Sequence, residues 1–523
     1  MTDRTALARA GLLVTGAVLV ARLLGGVRLF AIYSTFGAGS DLDTFVAAFR
    51  FPDLIFQLVA AGALSSALIP IVAGLVATDA EARAWRVAST VANLMLAILL
   101  VLALVVLLAA PALVPLVTQR FSAAQTAQTV ELTRIMLVSP IFLALGSLAT
   151  SLLNAKGRFA ASVIAPITYN LAIIASAVFL APSLGVVGLA IGVAAGSIAH
   201  LAVQLPSLRM IGYRYVPRVD LGDANARQAL VLMVPRAIGL GASQLTFLVA
   251  TALATGIGTG AASAFYLAFS IFQIPIGVIG IPLGVVMLPS MSISLARGEL
   301  AGYALLVSRA LRLLLWIMLP LAGLTMALHR ELVTLLFAYG RFDLRSIDLT
   351  ASSLVFLALA FASESLIAIV ARAFYAGQDT VTPLVAALLA VAINVGLAIV
   401  LVGQMGLAGI GFAIAVGSWV ELVYLIVVLQ RRVRTFQAGD LVAAGGRYLA
   451  TAVASSAVAL LAMQLAVGAV GTAPSRPTLL LEVAAAASLA GLTYLGLSRA
   501  LGVPEIGIVG RLLSAAVRRE VRA

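Results

Sequence analysis

Apolar runs of bilayer length follow one another along almost the whole chain. A membrane-spanning helix needs roughly 20 mostly apolar residues. By that measure fourteen runs are expected, near 9–35, 44–76, 87–116, 130–154, 160–181, 184–208, 228–255, 262–291, 304–328, 349–374, 381–402, 406–429, 446–470 and 478–498. Only 10% of the residues are charged while 63% are hydrophobic, and the mean hydropathy is +1.15. Soluble proteins carry about 25% charged residues. The expected fold class is therefore an all-α polytopic membrane protein. The first run exceeds a signal-peptide core and lacks a clear cleavage site, so it is expected to remain as a mature helix.

Arginine and lysine placement sets the expected orientation. Links after even-numbered runs hold Arg83 and Arg86, then Lys156 and Arg158, then Arg209, Arg214, Arg218 and Arg227, and finally Arg431, Arg432 and Arg434. Odd-numbered links such as "GAGSDLD", "PSLG", "GIGTGAAS" and "VGQMG" have no basic residue, although 117–134 and 329–348 carry a few arginines. The positive-inside rule then puts both termini in the cytoplasm, which agrees with an even number of spans. The formal charge of +13 thus reads as membrane orientation, and no nucleic-acid partner is expected. Without cysteine there is no disulfide or thiolate metal site, and His200 and His329 form no ligand-spaced pair.

A weak internal repeat divides the chain. "GLAIGVAAGS" at 188–197 aligns without a gap on "GIGFAIAVGS" at 409–418, 221 residues later. Asn170 and Asn394 lie in the preceding runs, behind the polar links "NAKGR" and "YAGQDT". "ALIPIVAG" and "VMLPSMSI" are related by a comparable shift. Two pseudo-symmetric six-helix lobes are expected at 1–215 and 220–440, with two extra helices in 441–500 and a basic cytoplasmic tail at 501–523 containing Arg511, Arg518, Arg519 and Arg522. Parallel repeats of this kind are a transporter plan with the substrate between the lobes.

Charges inside the runs are the candidate functional residues. Arginine at a helix centre costs about 2.5–3.5 kcal/mol on insertion scales, yet "VARLLGGVRLF" holds both Arg22 and Arg28. Six residues separate them, or about 120° on an ideal helix, so both suit one wide cavity if Gly25-Gly26 lets the helix bend. Neither has an acidic partner within its helix, and the natural ligand of such a cavity is an anion. Phosphate or pyrophosphate fits best, because guanidinium presents paired donors to its oxygens. Arg50 in "AAFRFPDL" precedes the helix-breaking Pro52, and Asp43 opens that helix. Snorkelling or pairing with Asp43 is the alternative role for Arg50. Gln244, Gln273, Glu364 and Arg372 suggest a secondary polar cavity, and Glu421 lies on the twelfth run. Arg372 as a cytoplasmic helix end, and the glutamates as packing partners of arginines, are the plainer readings. Asp379, Thr382 and Asn394 offer oxygens to a cation such as sodium, although an aspartate there commonly caps a helix. The prolines and glycines of "FQIPIGVIGIPLGVVMLPS" suit a helix that bends.

In "ARLLGGVR", "FGAGSDLDTFVAAFRFPDL", "AAGALSSALIPIVAG", "MLPSMSISLARGE", "LLFAYGRFD" and "FYAGQDTVTP" the chain resembles the MurJ/MviN family of lipid II flippases, within the multidrug/oligosaccharidyl-lipid/polysaccharide exporter superfamily. The resemblance implies that Arg22, Arg28 and Asp43 are functional charged positions. It implies a substrate, the undecaprenyl-pyrophosphate-linked disaccharide-pentapeptide precursor of peptidoglycan, whose lipid tail lies in a groove of the last two helices. It further implies transport by rocking lobes in the bacterial cytoplasmic membrane, driven by membrane potential or a cation gradient, and no organic cofactor. Lipid II, membrane lipids and cell-wall synthesis proteins are the partners it suggests.

The chain departs from the family at Phe56, Gln57 and Ala61, where members often carry an arginine pair and a glutamate, and at Ser270, where an arginine is common. Fewer arginines to hold the pyrophosphate, a different cargo or an inactive relative would each follow from that. Export of another polysaccharide-lipid intermediate or of drugs is the nearest alternative, though a cavity for cationic drugs would favour acids over arginines. A membrane enzyme would need grouped acids or histidines near the interface, and none is visible. A non-transporting cell-wall scaffold would tolerate loss of Arg22 and Arg28.

Overall fold

Hydrocarbon offers backbone amides no partner, so a chain this apolar must satisfy them within helices. The computed structural model describes residues 4–59, 63–470 and 475–507, and among these there is no strand. Ala61 and the arginines of the tail lie outside the described residues. Contacts divide the chain into two compact units, one made of residues up to Ser263 with Tyr339–Ser346, the other of Ala264–Ala338 with the residues from Ile347 on.

The first unit contains α1 (Arg4–Phe36), α2 (Ser40–Val59), α3 (Ala63–Ala77), α4 (Glu81–Leu113), α5 (Ala123–Met136), α6 (Val138–Ala155), α7 (Phe159–Ala175), α8 (Ala181–Leu184), α9 (Val186–Ala202), α10 (Leu205–Met210), α11 (Ala224–Ile257) and the first turn of α12 (Ala261–Pro275). Sequence repetition suggests that α11 opens a second lobe, but α11 packs on α2, α3 and α4. The segment after α10 is stapled to α4. Asn93 Nδ2 donates to the carbonyls of Val216 (3.1 Å) and Arg218 (3.0 Å), and Val216 N donates to Ser89 Oγ at 3.0 Å. These bonds account for the polar residues that interrupt the start of the third apolar run. Arg83 pairs with Asp223 at 2.7 Å, and that hydrogen bond holds the Asp223 carboxyl below the usual carboxylate range while Asp223 also caps α11.

The second unit holds the rest of α12 and α13 (Ile281–Ala296), α14 (Leu300–Ala327), α15 (His329–Phe337), most of α16 (Leu344–Leu357), α17 (Ala360–Ala376), α18 (Val381–Met405), α19 (Leu407–Arg432), α20 (Ala438–Val470) and α21 (Arg476–Ala500). α20 and α21 pack on α14, where Tyr494 donates to the Trp316 carbonyl at 2.7 Å and Trp316 Nε1 to Ser498 Oγ at 3.2 Å. Arg312 Nε (3.0 Å) and the Tyr448 hydroxyl (2.5 Å) both donate to Glu505. Between α12 and α13, Ile276–Gly280 forms a π-helical turn flanked by Pro275 and Pro282, the wide turn that the proline- and glycine-rich stretch foreshadows.

Among the described residues ten helices are long and apolar enough to cross a membrane, and α16 with α17, bent by 49°, would make an eleventh span. The runs at 9–35, 44–76 and 228–255 are helical as α1, α2 with α3, and α11. Large apolar side chains such as Leu108 (70% exposed) and Phe179 (76% exposed) cover the outside, as lipid contact requires.

The 221-residue repeat reappears as equivalent helix contacts. Gly185 and Gly406, at φ +57° and +58°, make the turns before α9 and α19. A Cβ at Gly188 would lie 2.9 Å from Leu180 backbone, and one at Gly409 would lie 2.8 Å from Leu401 backbone. A Cβ at Gly196 would lie 3.0 Å from the Tyr169 carbonyl oxygen, and one at Gly417 2.9 Å from that of Ala390. The same glycines thus let α9 approach α7 and α19 approach α18. At Gly192 a Cβ would fall 2.4 Å from Ser176 Cβ, whereas at Gly403 it would meet open space. Gly192→Ala should therefore cost about 1–3 kcal/mol through overpacking. Gly403→Ala should be neutral or stabilising; thermal unfolding of the purified variants in detergent checks both.

Candidate functional site

Arg22 lies on α1 and is exposed, without a hydrogen bond or ion pair among the described residues. It lines a cleft of about 480 Å³ within the first unit, together with Ala21 of α1, Thr150 and Asn154 of α6, and Phe159, Ser162, Val163 and Pro166 of α7. Asn170 fixes the wall, donating through Nδ2 to the Pro166 carbonyl at 3.0 Å and across to the Ala21 carbonyl at 3.4 Å. Thr150 donates to Gln204 Oε1 at 2.9 Å, which holds α6 to the end of α9. Two buried polar atoms of the lining, Asn154 Oδ1 and Ser162 Oγ, have no hydrogen-bond partner. Pro166 also lacks the N–H that would otherwise close the helical bond to the Ser162 carbonyl. Arg22 thus shares a lining with two side chains, Asn154 and Ser162, whose buried oxygens have no partner among the described residues.

Arg28 is half-buried two turns further along α1, also without a hydrogen bond or ion pair among the described residues. It does not line this cleft. The helix runs through Gly25 and Gly26 without interruption, and neither glycine is a close contact point. Arg50 is 6% exposed and turned inward, with Nε donating to the Val46 carbonyl at 3.3 Å and the guanidinium 5.6 Å from the Phe247 ring of α11. The structure thus places Arg22 at a cleft, packs Arg50 elsewhere in the same unit, and joins neither to Asp43.

Asp43 belongs to a corner between α1 and α2. Its carboxylate is 1% exposed and accepts the N–H (2.8 Å) and hydroxyl (2.8 Å) of Ser263, and the N–H of Gly260, at the first turn of α12. Tyr33 donates to the Ser263 carbonyl at 2.5 Å. The segment Tyr339–Ser346 closes the corner, with Arg341 N donating to the Ser34 carbonyl at 2.9 Å and Ser346 Oγ receiving Ala38 N at 3.0 Å. Gly37, at φ +66°, is required here because a Cβ would lie 2.4 Å from the Arg341 carbonyl oxygen. The motifs "FGAGSDLD" and "LLFAYGRFD" therefore meet, although some 300 residues of sequence separate them. Asp43 is a lock between helices.

The remaining candidates are dispersed. Gln244 is half-buried on α11 in the first unit. In the second unit Gln273 is exposed on α12, and Arg372 donates to the Ala368 carbonyl at 2.6 Å beside Gly284. Glu364 is half-buried on α17 at the contact with α19, where Ser363 and Ser418 hydroxyls meet at 2.7 Å. Glu421 is half-buried on α19. Neither forms an ion pair with an arginine among the described residues. Asp379 Oδ1 accepts the N–H groups of Val381 (2.9 Å) and Thr382 (3.0 Å), while Oδ2 accepts the Thr382 hydroxyl at 2.6 Å and pairs with Arg432. Burial alone would raise its pKa, but these bonds together hold it below the usual range. Asn394 stands twelve residues beyond Thr382 on α18, about 18 Å along the axis, so these three groups do not converge. Among the described residues no group of three His, Asp or Glu side chains could hold a metal ion.

At the positions that depart from the resemblance, Phe56 packs on the core of the first unit and Gln57 reaches Asp53 at 3.5 Å. Ser270 bonds back to the Tyr266 carbonyl at 2.7 Å. Sequence reasoning missed Asn154, Ser162 and Phe159. Asn154 stands inside the quoted link "NAKGR", but its lack of a partner is visible only once α1, α6 and α7 assemble.

Comparisons with known proteins place these features in context. A family model described as "Lipid II flippase MurJ" matches residues 32–476. A protein named lipid II flippase MurJ from Burkholderia cenocepacia is 31% identical over 434 residues, covering 81% of this chain and 84% of that one. A probable lipid II flippase MurJ from Rhizobium tropici is 30% identical over 428 residues, covering 80% of each. A structure titled lipid II flippase MurJ in an inward closed conformation superposes with a TM-score of 0.77 at 21% identity, over 94% of this chain and 98% of that one. A MATE family transporter of the MOP superfamily gives 0.65 at 15% identity, over 79% and 95%. At these identities the two structures speak for the fold alone.

The Asp43 lock yields a direct expectation. Asp43→Asn turns an NH2 group toward at least one of three donors, leaving a buried amide unsatisfied at a cost of about 1–3 kcal/mol. The variant should unfold at lower temperature than wild type in a detergent thermal-shift assay, and Asp43→Ala should lose more.

Proposed function

Because the chain belongs to the MurJ family of lipid II flippases, we propose that it carries undecaprenyl-pyrophosphate-linked peptidoglycan precursor from the cytoplasmic to the outer leaflet for cell-wall synthesis. The single observation that carries the chemistry is an unpaired guanidinium, Arg22, at a cleft inside a protein built of apolar helices. An isolated cation in such surroundings is costly unless water or an anion meets it. A diphosphate supplies oxygens in the spacing that guanidinium donors match. Arg28, equally without a protein partner among the described residues, is the second group assigned to the diphosphate.

On this reading residues 1–215 and 220–440 act as repeat lobes that alternate access, and 441–500, whose helices pack on α14, carry the lipid tail in a groove. Both termini face the cytoplasm, as the arginine-rich links suggest, and the protein sits in the bacterial cytoplasmic membrane. Membrane potential is the preferred energy source. Each elementary charge crossing 100 mV is worth about 2.3 kcal/mol, so a doubly charged diphosphate leaving a negative interior gains about 5 kcal/mol. A sodium site at Asp379 is less favoured, because its oxygens are already engaged by Thr382 and Arg432.

Complementation in a bacterium depleted of its own flippase tests the reading, with externally accessible lipid II as readout. Wild type should restore growth and surface lipid II. Arg22→Ala and Arg28→Ala should each lower surface lipid II by about tenfold or more, the loss of one charge-assisted contact. Equal rescue by all three proteins would contradict the role given to the arginines.

A further inference from the structure

The link between α10 and α11, residues 211–223, is strapped along the start of α4. Besides the bonds from Asn93 and Ser89, Asp220 N donates to Thr90 Oγ1 at 3.1 Å and the Tyr215 hydroxyl donates to Asn93 Oδ1 at 2.5 Å. The Tyr213 ring meets Trp85 edge to face at 5.6 Å. α4 therefore serves as a ruler for the depth of the strap. Its first exposed large apolar side chain is Ile98, and the last on the same continuous span is Leu116. At 1.5 Å per residue these two are about 27 Å apart, close to the roughly 30 Å of a hydrocarbon core. Asn93 comes five residues before Ile98 and so stands about 7.5 Å outside the hydrocarbon. That is the depth of the lipid headgroups.

At this depth the chain presents a mixed surface. Met210 is 73% and Tyr215 57% exposed, Val219 and Leu221 are exposed too, and the exposed Arg209, Arg214 and Arg218 are interleaved with them. None of these three arginines has an ion-pair partner among the described residues. The nearby acids are already committed, Asp223 to Arg83 and the start of α11, and Asp220 to the Gly222 N–H. Apolar and aromatic side chains gain by leaving water, whereas the arginines need negative charge. A layer of anionic headgroups meets both demands, because rings settle at the interface while guanidinium groups reach phosphate oxygens. We propose that residues 209–221 form a docking surface for anionic phospholipids of the leaflet on this side, the cytoplasmic one in the orientation proposed above. The surface does not depend on what the protein transports. It also differs from the positive-inside effect, which acts on orientation during insertion, because it gives the folded protein a lasting preference among lipids.

Fluorescence quenching in purified full-length protein tests the proposal, since orientation is already set there. The chain has no cysteine, so Val219→Cys carries a single fluorophore. The protein is placed in phosphatidylcholine nanodiscs containing phosphatidylglycerol or phosphatidylcholine that bears a nitroxide just below the headgroup. One arginine near an anionic surface is worth about fivefold in association. Phosphatidylglycerol should therefore quench at a concentration at least about tenfold lower than phosphatidylcholine does. Replacing Arg209, Arg214 and Arg218 together by Gln should bring the two lipids to equality. The bonds that hold the strap use backbone groups and Tyr215, so the melting temperature of this variant in phosphatidylcholine should stay that of its parent. Salt is an independent arm that needs no arginine substitution. At 1 M, where screening acts over about 3 Å, the preference should vanish. Equal quenching by both lipids at low salt would overturn the proposal, and so would a preference that survives the triple substitution or 1 M salt. Absence of quenching by either lipid would place the strap away from the bilayer and overturn it as well.

Discussion

A polar group buried among apolar helices must find a partner, and this one demand organises the structure. Asp43, 1% exposed, is met by Ser263 and Gly260, and Glu505, 8% exposed, by Arg312 and Tyr448. Asn93 is met by the carbonyls of the link that follows α10. In each case the partner comes from a distant part of the chain, so satisfying the group also fixes how helices pack. Against that background, polar groups left without partners stand out. Arg22, Asn154 and Ser162 line one cleft, and neither the guanidinium nor the buried Asn154 Oδ1 and Ser162 Oγ has a partner among the described residues.

Much of the architecture is legible in the sequence because hydrophobic length and glycine spacing act locally. The apolar runs become helices, and the aligned glycines of "GLAIGVAAGS" and "GIGFAIAVGS" become equivalent points of close approach. Even the odd conformation of Gly185 and Gly406 repeats. Less legible is how runs break and which helices associate. The run at 44–76 is read as one stretch, but it holds α2 and α3 as separate helices. The sequence repeat leads one to expect α11 at the start of a second lobe, yet it packs with the first unit, because burial decides which helices associate.

The candidate site was legible only in part, for a related reason. Arg22 and Arg28 announce themselves by cost alone, since each is a cation in an apolar run. Arg50 looks the same in sequence but is absorbed by Val46 and Phe247, contacts that need α2 folded against α11. Asp379 likewise looks like a cation ligand until Thr382 and Arg432 are seen to occupy it. Asn154 and Ser162 are unremarkable letters in sequence, because a missing partner has no sequence signal. The family match and the cleft thus contribute different things: one names the cargo's class, the other holds the side chains proposed to meet it.

The central claim is that the face of α1 around Arg22 is wet within the membrane, while the outer face of the protein is not. The chain contains no cysteine, so single substitutions report without background. Arg22→Cys and the lipid-facing Leu108→Cys should be compared in intact membranes by reaction with a charged methanethiosulfonate reagent, which modifies thiolates and therefore needs water. The account predicts fast modification at position 22, slowed by added lipid II, and little at position 108. Equal protection of both cysteines would mean that Arg22 faces hydrocarbon, and the transport proposal would lose its anion site.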